Sequence, residues 1–181
     1  GKRAYEIGGD FAVYDQTTRG EFDTILVKVL GLELDYDHSD PLFVDIPMRQ
    51  NINPYWDYRY IETAGRSGLV RGIGPRYFVP NDPVTREQAA YMIAVAMNLK
   101  MNEDHDKVRA NLQKEFADAN SISQYALAAV EAVFKEKLMV GRLTPSSTGG
   151  EPLTTFDPKA NITRAETAIL IYNMMKEFKM L

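Results

Sequence analysis

Apolar residues gather in three stretches with helical spacing. Phe22, Ile25, Leu26, Val29 and Leu30 fall at i, i+3, i+4, i+7 and i+8, which predicts an amphipathic helix with one buried face. Ala89, Ala90, Met92, Ile93, Val95, Ala96, Met97 and Leu99 nearly encircle a helix axis and predict a helix buried on most sides. Ala168, Ile169, Leu170, Ile171, Tyr172, Met174 and Met175 read the same way. The methionines in these runs are core filling. Nowhere does the chain sustain a period of two, so the pattern predicts an all-α fold. The polar, acidic stretches 33–42 and 100–115 read as surface connections.

Each apolar stretch follows a similar quartet: Thr18-Arg19-Gly20-Glu21, Thr85-Arg86-Glu87-Gln88 and Thr163-Arg164-Ala165-Glu166. A Thr with Glu or Gln three residues on is a capping box. The Thr oxygen accepts from the later backbone N–H, and the Glu or Gln reaches back to the Thr amide. The arginine is less easily explained. At the first helical position a cation meets the positive end of the helix dipole, at a cost of about 0.3–1 kcal/mol. Its recurrence points to a role that offsets this cost. A phenylalanine also stands seven residues before each Thr, at Phe11, Phe78 and Phe156.

The quartet threonines lie 67 and 78 residues apart, and a second landmark precedes two of them. Phe43 and Asp45 align with Phe116 and Asp118, Trp56 with Tyr125, and Gly72 with Gly141. One repeat therefore reads as Phe-x-Asp, a leading helix, a glycine placed to close that helix, a loop to the phenylalanine, and the Thr-Arg helix. The chain divides into a partial first repeat (1–42), a second (43–115) and a third (116–181), with a longer loop in the third. None of the three can bury its apolar face alone, so they are expected to share one compact domain.

Composition narrows the function classes. A chain of 181 residues with 45% hydrophobic content is globular, and its net charge of −4 argues against a phosphate-backbone binder. No apolar run approaches the ~18 residues of a membrane span. The absence of cysteine excludes disulfides and thiolate chemistry. His38 and His105 sit in acidic, loop-like stretches and read as solvated. The N-terminal Gly-Lys-Arg reads as a cut end, so the lack of a leader says little about secretion.

The ordered set of Phe-x-Asp, aromatic, glycine, Phe-x-Pro (Phe78-Val79-Pro80, Phe156-Asp157-Pro158) and Thr-Arg-x-Glu resembles the S-layer homology (SLH) repeat. The resemblance implies a pseudo-threefold helical bundle of SLH repeats, two complete and one half, that attaches proteins to the bacterial cell surface. It implies binding of secondary cell-wall polysaccharide, often through a pyruvylated sugar, in grooves between repeats, with no cofactor. Carried over by position, the groove residues are Arg19, Arg86 and Arg164 with Asp45 and Asp118. Trp56, Tyr125, Gly72 and Gly141 occupy matching places. The first repeat departs from the pattern: it lacks Phe-x-Asp and a leading helix, and Val13 stands where proline is expected.

On this reading, free N–H groups at the helix start and the neighbouring guanidinium together suit a carboxylate on the glycan. The plainer alternative is that each arginine pairs with an aspartate and staples the bundle. The incomplete first repeat should leave apolar surface on the Phe22–Leu30 helix, a candidate for self-association. Three rival readings stand beside it. Glu62 or Glu131 cast as glycosidase carboxylates have no supporting pattern. The acidic stretch 35–46 lacks the glycine and glutamate of an EF-hand. A structural or protein-interaction module with decayed glycan grooves is the third.

Overall fold

All three capping boxes form. The side chains of Thr18, Thr85 and Thr163 accept from the backbone N–H three residues on, and Glu21, Gln88 and Glu166 reach back to the threonine amides. They open helices α1 (Arg19–Leu30), α3 (Arg86–Ala96) and α6 (Arg164–Glu177) in a computed structural model that describes residues 12–34, 40–46, 57–146 and 149–180. Phe11, Trp56 and residues 35–39 of the acidic stretch, His38 among them, lie outside the described residues.

The remaining elements are α2 (Tyr58–Arg66), α4 (His105–Glu115), α5 (Leu127–Lys135) and the strands β1 (Arg142–Thr144) and β2 (Leu153–Thr155). The protein is mostly helical, as the pattern predicts, with one short antiparallel pair that places Arg142 opposite Thr155. That hairpin forms within the longer loop of the third repeat. The chain divides into two compact units, one of residues 1–84 with 162–181 and the other of residues 85–161.

In the first unit α1 packs on α2 and touches α6. Phe22, Leu26, Val27, Ile61, Phe78, Ile162 and Met174 are fully buried there. Three backbone bonds close a ring: Thr17 N–H to the Ile162 carbonyl, Ile162 N–H to Val84, and Val84 N–H to Thr17, at 3.0, 2.9 and 2.9 Å. In the second unit α5 packs on α3 and α4 around Ala89, Ile93, Val108, Phe116, Leu127 and Phe156.

Three expectations need correction. The stretch 100–115 is not simply a connection, because α4 occupies most of it and buries Val108 and Leu112 against α5. His105 is the first residue of that helix. Two inward residues one turn apart make a stripe too narrow to stand out in a polar sequence. In α1, which packs on α2, Phe22, Leu26 and Val27 are buried, while Ile25, Val29 and Leu30 are half-buried.

The second correction concerns α6, which is not buried like α3: Ile169 and Tyr172 are 61% and 57% exposed. Finally, Gly72 and Gly141 do not close the leading helices. The left-handed residues after α2 and α5 are Gly68 and Lys137, with φ of 77° and 57°. Gly72 and Gly141 stand four residues further on and serve close packing instead. A Cβ on Gly72 would lie 2.4 Å from the Tyr77 carbonyl oxygen, and one on Gly141 would lie 2.7 Å from the Phe116 ring.

Candidate functional site

The first helical turn fixes the quartet arginines. The Arg19 and Gly20 amides donate to the Asp82 and Pro80 carbonyls, at 2.8 and 2.9 Å. The Arg86 and Glu87 amides meet Ala160 and Pro158 in the same way, and those of Arg164 and Ala165 meet Asp15 and Val13. With the third amide held by threonine, the leading N–H groups of these helices are engaged by protein oxygens. They are not free for an anion, contrary to the sequence expectation.

The guanidinium groups of Arg19 and Arg86 have the same two kinds of partner. Arg19 Nε donates to the Phe78 carbonyl at 2.9 Å, and Nη2 to the Arg71 carbonyl at 2.8 Å. Arg86 Nε donates to the Phe156 carbonyl and Nη2 to the Val140 carbonyl, both at 2.7 Å. Each cation also lies over the ring of the phenylalanine it bonds, 4.6 Å from Phe78 and 5.0 Å from Phe156. Both arginines are buried. A hydrogen bond to a charged group is worth about 1.5–3 kcal/mol, so two of them outweigh a helix-dipole cost of about 0.3–1 kcal/mol. These acceptors are backbone carbonyls, neither the ligand carboxylate nor the aspartate staple weighed from the sequence.

The aspartates hold the same phenylalanines from the other side. Asp45 accepts from the Phe78 and Val79 amides at 2.9 and 2.7 Å. Asp118 accepts from the Phe156 and Asp157 amides, both at 2.8 Å. Val79 and Asp157 adopt φ near 55° (55° and 54°), which turns successive amides toward one carboxylate. Ala12, in the corresponding place of the first repeat, has φ of 50°. Phe-x-Asp, Phe-x-Pro and Thr-Arg are thus one bonded frame, built once in each compact unit. Gly72 and Gly141 follow the carbonyls of Arg71 and Val140 and admit the tight turn that brings those carbonyls to the arginines.

Tyr125 lies in a short 3-10 turn (Gln124–Ala126), 46% exposed, with its ring edge-on to Tyr91. Its hydroxyl donates to Glu87 at 3.4 Å. The aligned Trp56 lies outside the described residues. For Arg164 the phenylalanine in the corresponding place, Phe11, lies outside the described residues; its guanidinium is 3.5 Å from Glu21, and its side chain is 17% exposed. The structure joins Arg19 with Gly72 and Asp45, and Arg86 with Gly141 and Asp118.

Sequence reasoning missed Ser123 and Lys159, which both bond Glu87. The available signal was Glu87 itself, an acid at the quartet position held by Gly20 and Ala165 elsewhere. Glu62 and Glu131 have structural partners. Glu62 accepts from the Leu42 and Phe43 amides and pairs with Arg66. Burial pushes the Glu131 carboxyl upward, but bonds from Lys135 and Asn111 outweigh it and hold the group below its ordinary range. Asp23 in α1 is the exception. Neither of its oxygens has a hydrogen-bond partner, and burial raises its pKa well above the ordinary carboxylate range despite the nearby Arg19 charge.

The comparisons with known proteins agree with this motif. The S-layer homology domain matches at residues 51–90 and 148–168. An endoglucanase from Bacillus sp. (strain KSM-635) is 33% identical over 165 residues, covering 91% of this chain and 15% of that protein. S-layer protein EA1 of Bacillus anthracis is 28% identical over 163 residues, covering 90% of this chain and 16% of the relative. A surface-layer 125 kDa protein of Lysinibacillus sphaericus is 27% identical over 165 residues, covering 91% and 12%. The chain carries S-layer homology sequence and spans 12–16% of the length of these relatives.

Proposed function

We propose that this chain is a non-catalytic anchoring module that binds cell-wall polysaccharide at the bacterial surface, with pyruvylated sugars as the preferred groups. One observation carries the reading. Nearly the whole chain aligns with segments of an endoglucanase and of S-layer proteins, whose names describe unlike tasks. What such proteins share over this segment is better explained by a common place of attachment than by a common reaction. The structural partners of Glu62 and Glu131 also leave those carboxylates poorly suited to glycoside hydrolysis.

Within this proposal the predicted site residues that the structure describes divide into two roles. Arg19, Arg86, Asp45, Asp118, Gly72 and Gly141 shape the frame, because their polar groups or close contacts serve the backbone. Arg164 and Tyr125, both partly exposed, are the side chains that reach the glycan. Arg164→Ala should weaken binding by about 1.5–3 kcal/mol, the worth of a bond to a charged group. The deciding measurement is retention of the protein on purified wall polysaccharide with and without its pyruvyl groups. Stronger retention by the pyruvylated form is expected. Equal absence of binding to both would reject anchoring through this glycan. It would favour the second reading, a structural or protein-interaction module, which draws support from the use of Arg19 and Arg86 on carbonyl oxygens.

A further inference from the structure

Glu87 is an anomaly among the quartets. The second helical residue is Gly20 in α1 and Ala165 in α6, neither with a polar side chain. In α3 this position carries a carboxylate that is buried and bonded on both oxygens. Oε2 accepts from the Ser123 amide at 3.0 Å. Oε1 accepts from Ser123 Oγ at 2.9 Å, Lys159 Nζ at 2.5 Å and the Tyr125 hydroxyl at 3.4 Å. Lys159 Nζ also bonds Ser123 Oγ.

These four donors come from two chain segments other than α3, and all lie within the second compact unit. Together they supply an ammonium, two hydroxyls and a backbone amide to a single carboxylate, the complement of a carboxylate-binding site. The lysine and tyrosine that line its mouth are 56% exposed in side chain and 46% exposed overall, so the site faces solvent on one side. The carboxylate also sits in the first turn of α3, where the helix dipole favours negative charge.

We propose that Ser123, Tyr125 and Lys159 form a carboxylate receptor and that Glu87 is its built-in occupant. Glu87 closes this receptor to acidic groups from outside. With a small residue in its place, as at Gly20 and Ala165, the same donors accept a soluble carboxylate. A second step rests on the anchoring function proposed above: the chain then gains a binding place for an acidic sugar substituent that the natural residue excludes.

The test is chemical rescue of Glu87→Ala, with sodium acetate as the probe and sodium chloride at equal ionic strength as the reference. Ala165 occupies the same position in α6, so the substitution is compatible with this type of helix start. Its melting temperature should fall in chloride and recover by several degrees in acetate, with a saturable dependence. The natural protein and Glu87→Gln, in which the site remains filled, should show no acetate-specific shift. Coincident acetate and chloride curves for Glu87→Ala overturn the proposal, as does an equal acetate shift in Glu87→Gln. If Glu87→Ala is unfolded in chloride, acetate should restore its folding, and a chain still unfolded in acetate overturns the proposal too. Retention on pyruvylated wall polysaccharide tests the second step. Glu87→Ala should be retained several-fold more strongly than the natural protein. Rescue by acetate without that gain rejects the glycan step and leaves the receptor standing.

Discussion

Helices α3 and α6 begin alike and end in different surroundings. Both carry a threonine capping box, an arginine at the first position and a predominantly apolar run. Along one face α3 buries Ala90 and Ala94 against α5, and the matching positions of α1, Asp23 and Val27, are buried as well. In α6 the same face presents Ala168, Ile169 and Tyr172 to solvent, and no described helix covers Ile169 or Tyr172. The difference lies in the neighbour: α1 has α2 and α3 has α5, each the leading helix of the next repeat in sequence. Apolar content states what a helix is able to bury, and the arrangement of its neighbours determines what it does bury.

Charge substitutions at one matched position give the largest contrast. Ala94→Asp and Val27→Asp should each cost more than about 4 kcal/mol, since an ionised group would enter a closed helix contact. Tyr172→Asp should remain within about 0.5 kcal/mol of the natural protein. Thermal melts of the three variants measure this, and similar losses in all three would break the comparison. Arg86→Ala should follow, at about 3 kcal/mol or more, because the Phe156 and Val140 carbonyls lose a charged donor. A melting temperature unchanged by that substitution would remove the arginine from the frame. Asp118→Ala should cost about 2–3 kcal/mol by orphaning two amides. Its signature is faster hydrogen exchange at Phe156 and Asp157 than elsewhere in the unit.

The last expected change is a gain. Asp23 occupies a face position where α3 has alanine, and its ionised form is unpaired under α2. The folded state holds the Asp23 proton more tightly than the unfolded chain does. Its contribution is therefore fully present below about pH 4 and is lost as pH rises toward the raised folded value. Asp23→Asn should stabilise the protein at pH 7 by about 1–2 kcal/mol, the lower part of the range for an unsatisfied buried group. The gain should vanish below about pH 4. Urea midpoints at both values decide it, and a pH-independent gain would show that ionisation is not its source.

The capping boxes were legible in the sequence because their partners lie three residues apart. So was the alignment of Asp45 with Asp118, which the identical bonds to Phe78 and Phe156 explain. The partners of Arg19 and Arg86 were not legible, because a carbonyl oxygen leaves no mark in residue identity. Gly72 and Gly141 stood out as glycines, but their purpose is a close approach that only coordinates reveal. Helix α4 escaped notice because its inward face is mainly Val108 and Leu112. The exposure of α6 could not be read at all, since it depends on what lies beside the helix.

The ring of bonds through Thr17, Val84 and Ile162 bears on the order in which the chain folds. Its closure joins residues near the two ends, and the first compact unit is split in sequence around the second. On a growing chain, residues 85–161 form a continuous segment that can close on its own contacts. The first unit must wait for residues 162–181 to emerge before its ring exists. Bringing such distant segments together carries a loop-closure entropy that a nearby pairing does not, and this slows folding in proportion to its weight in the transition state. The second unit is thus the natural early structure, and docking of α6 onto α1 is the late, length-limited step.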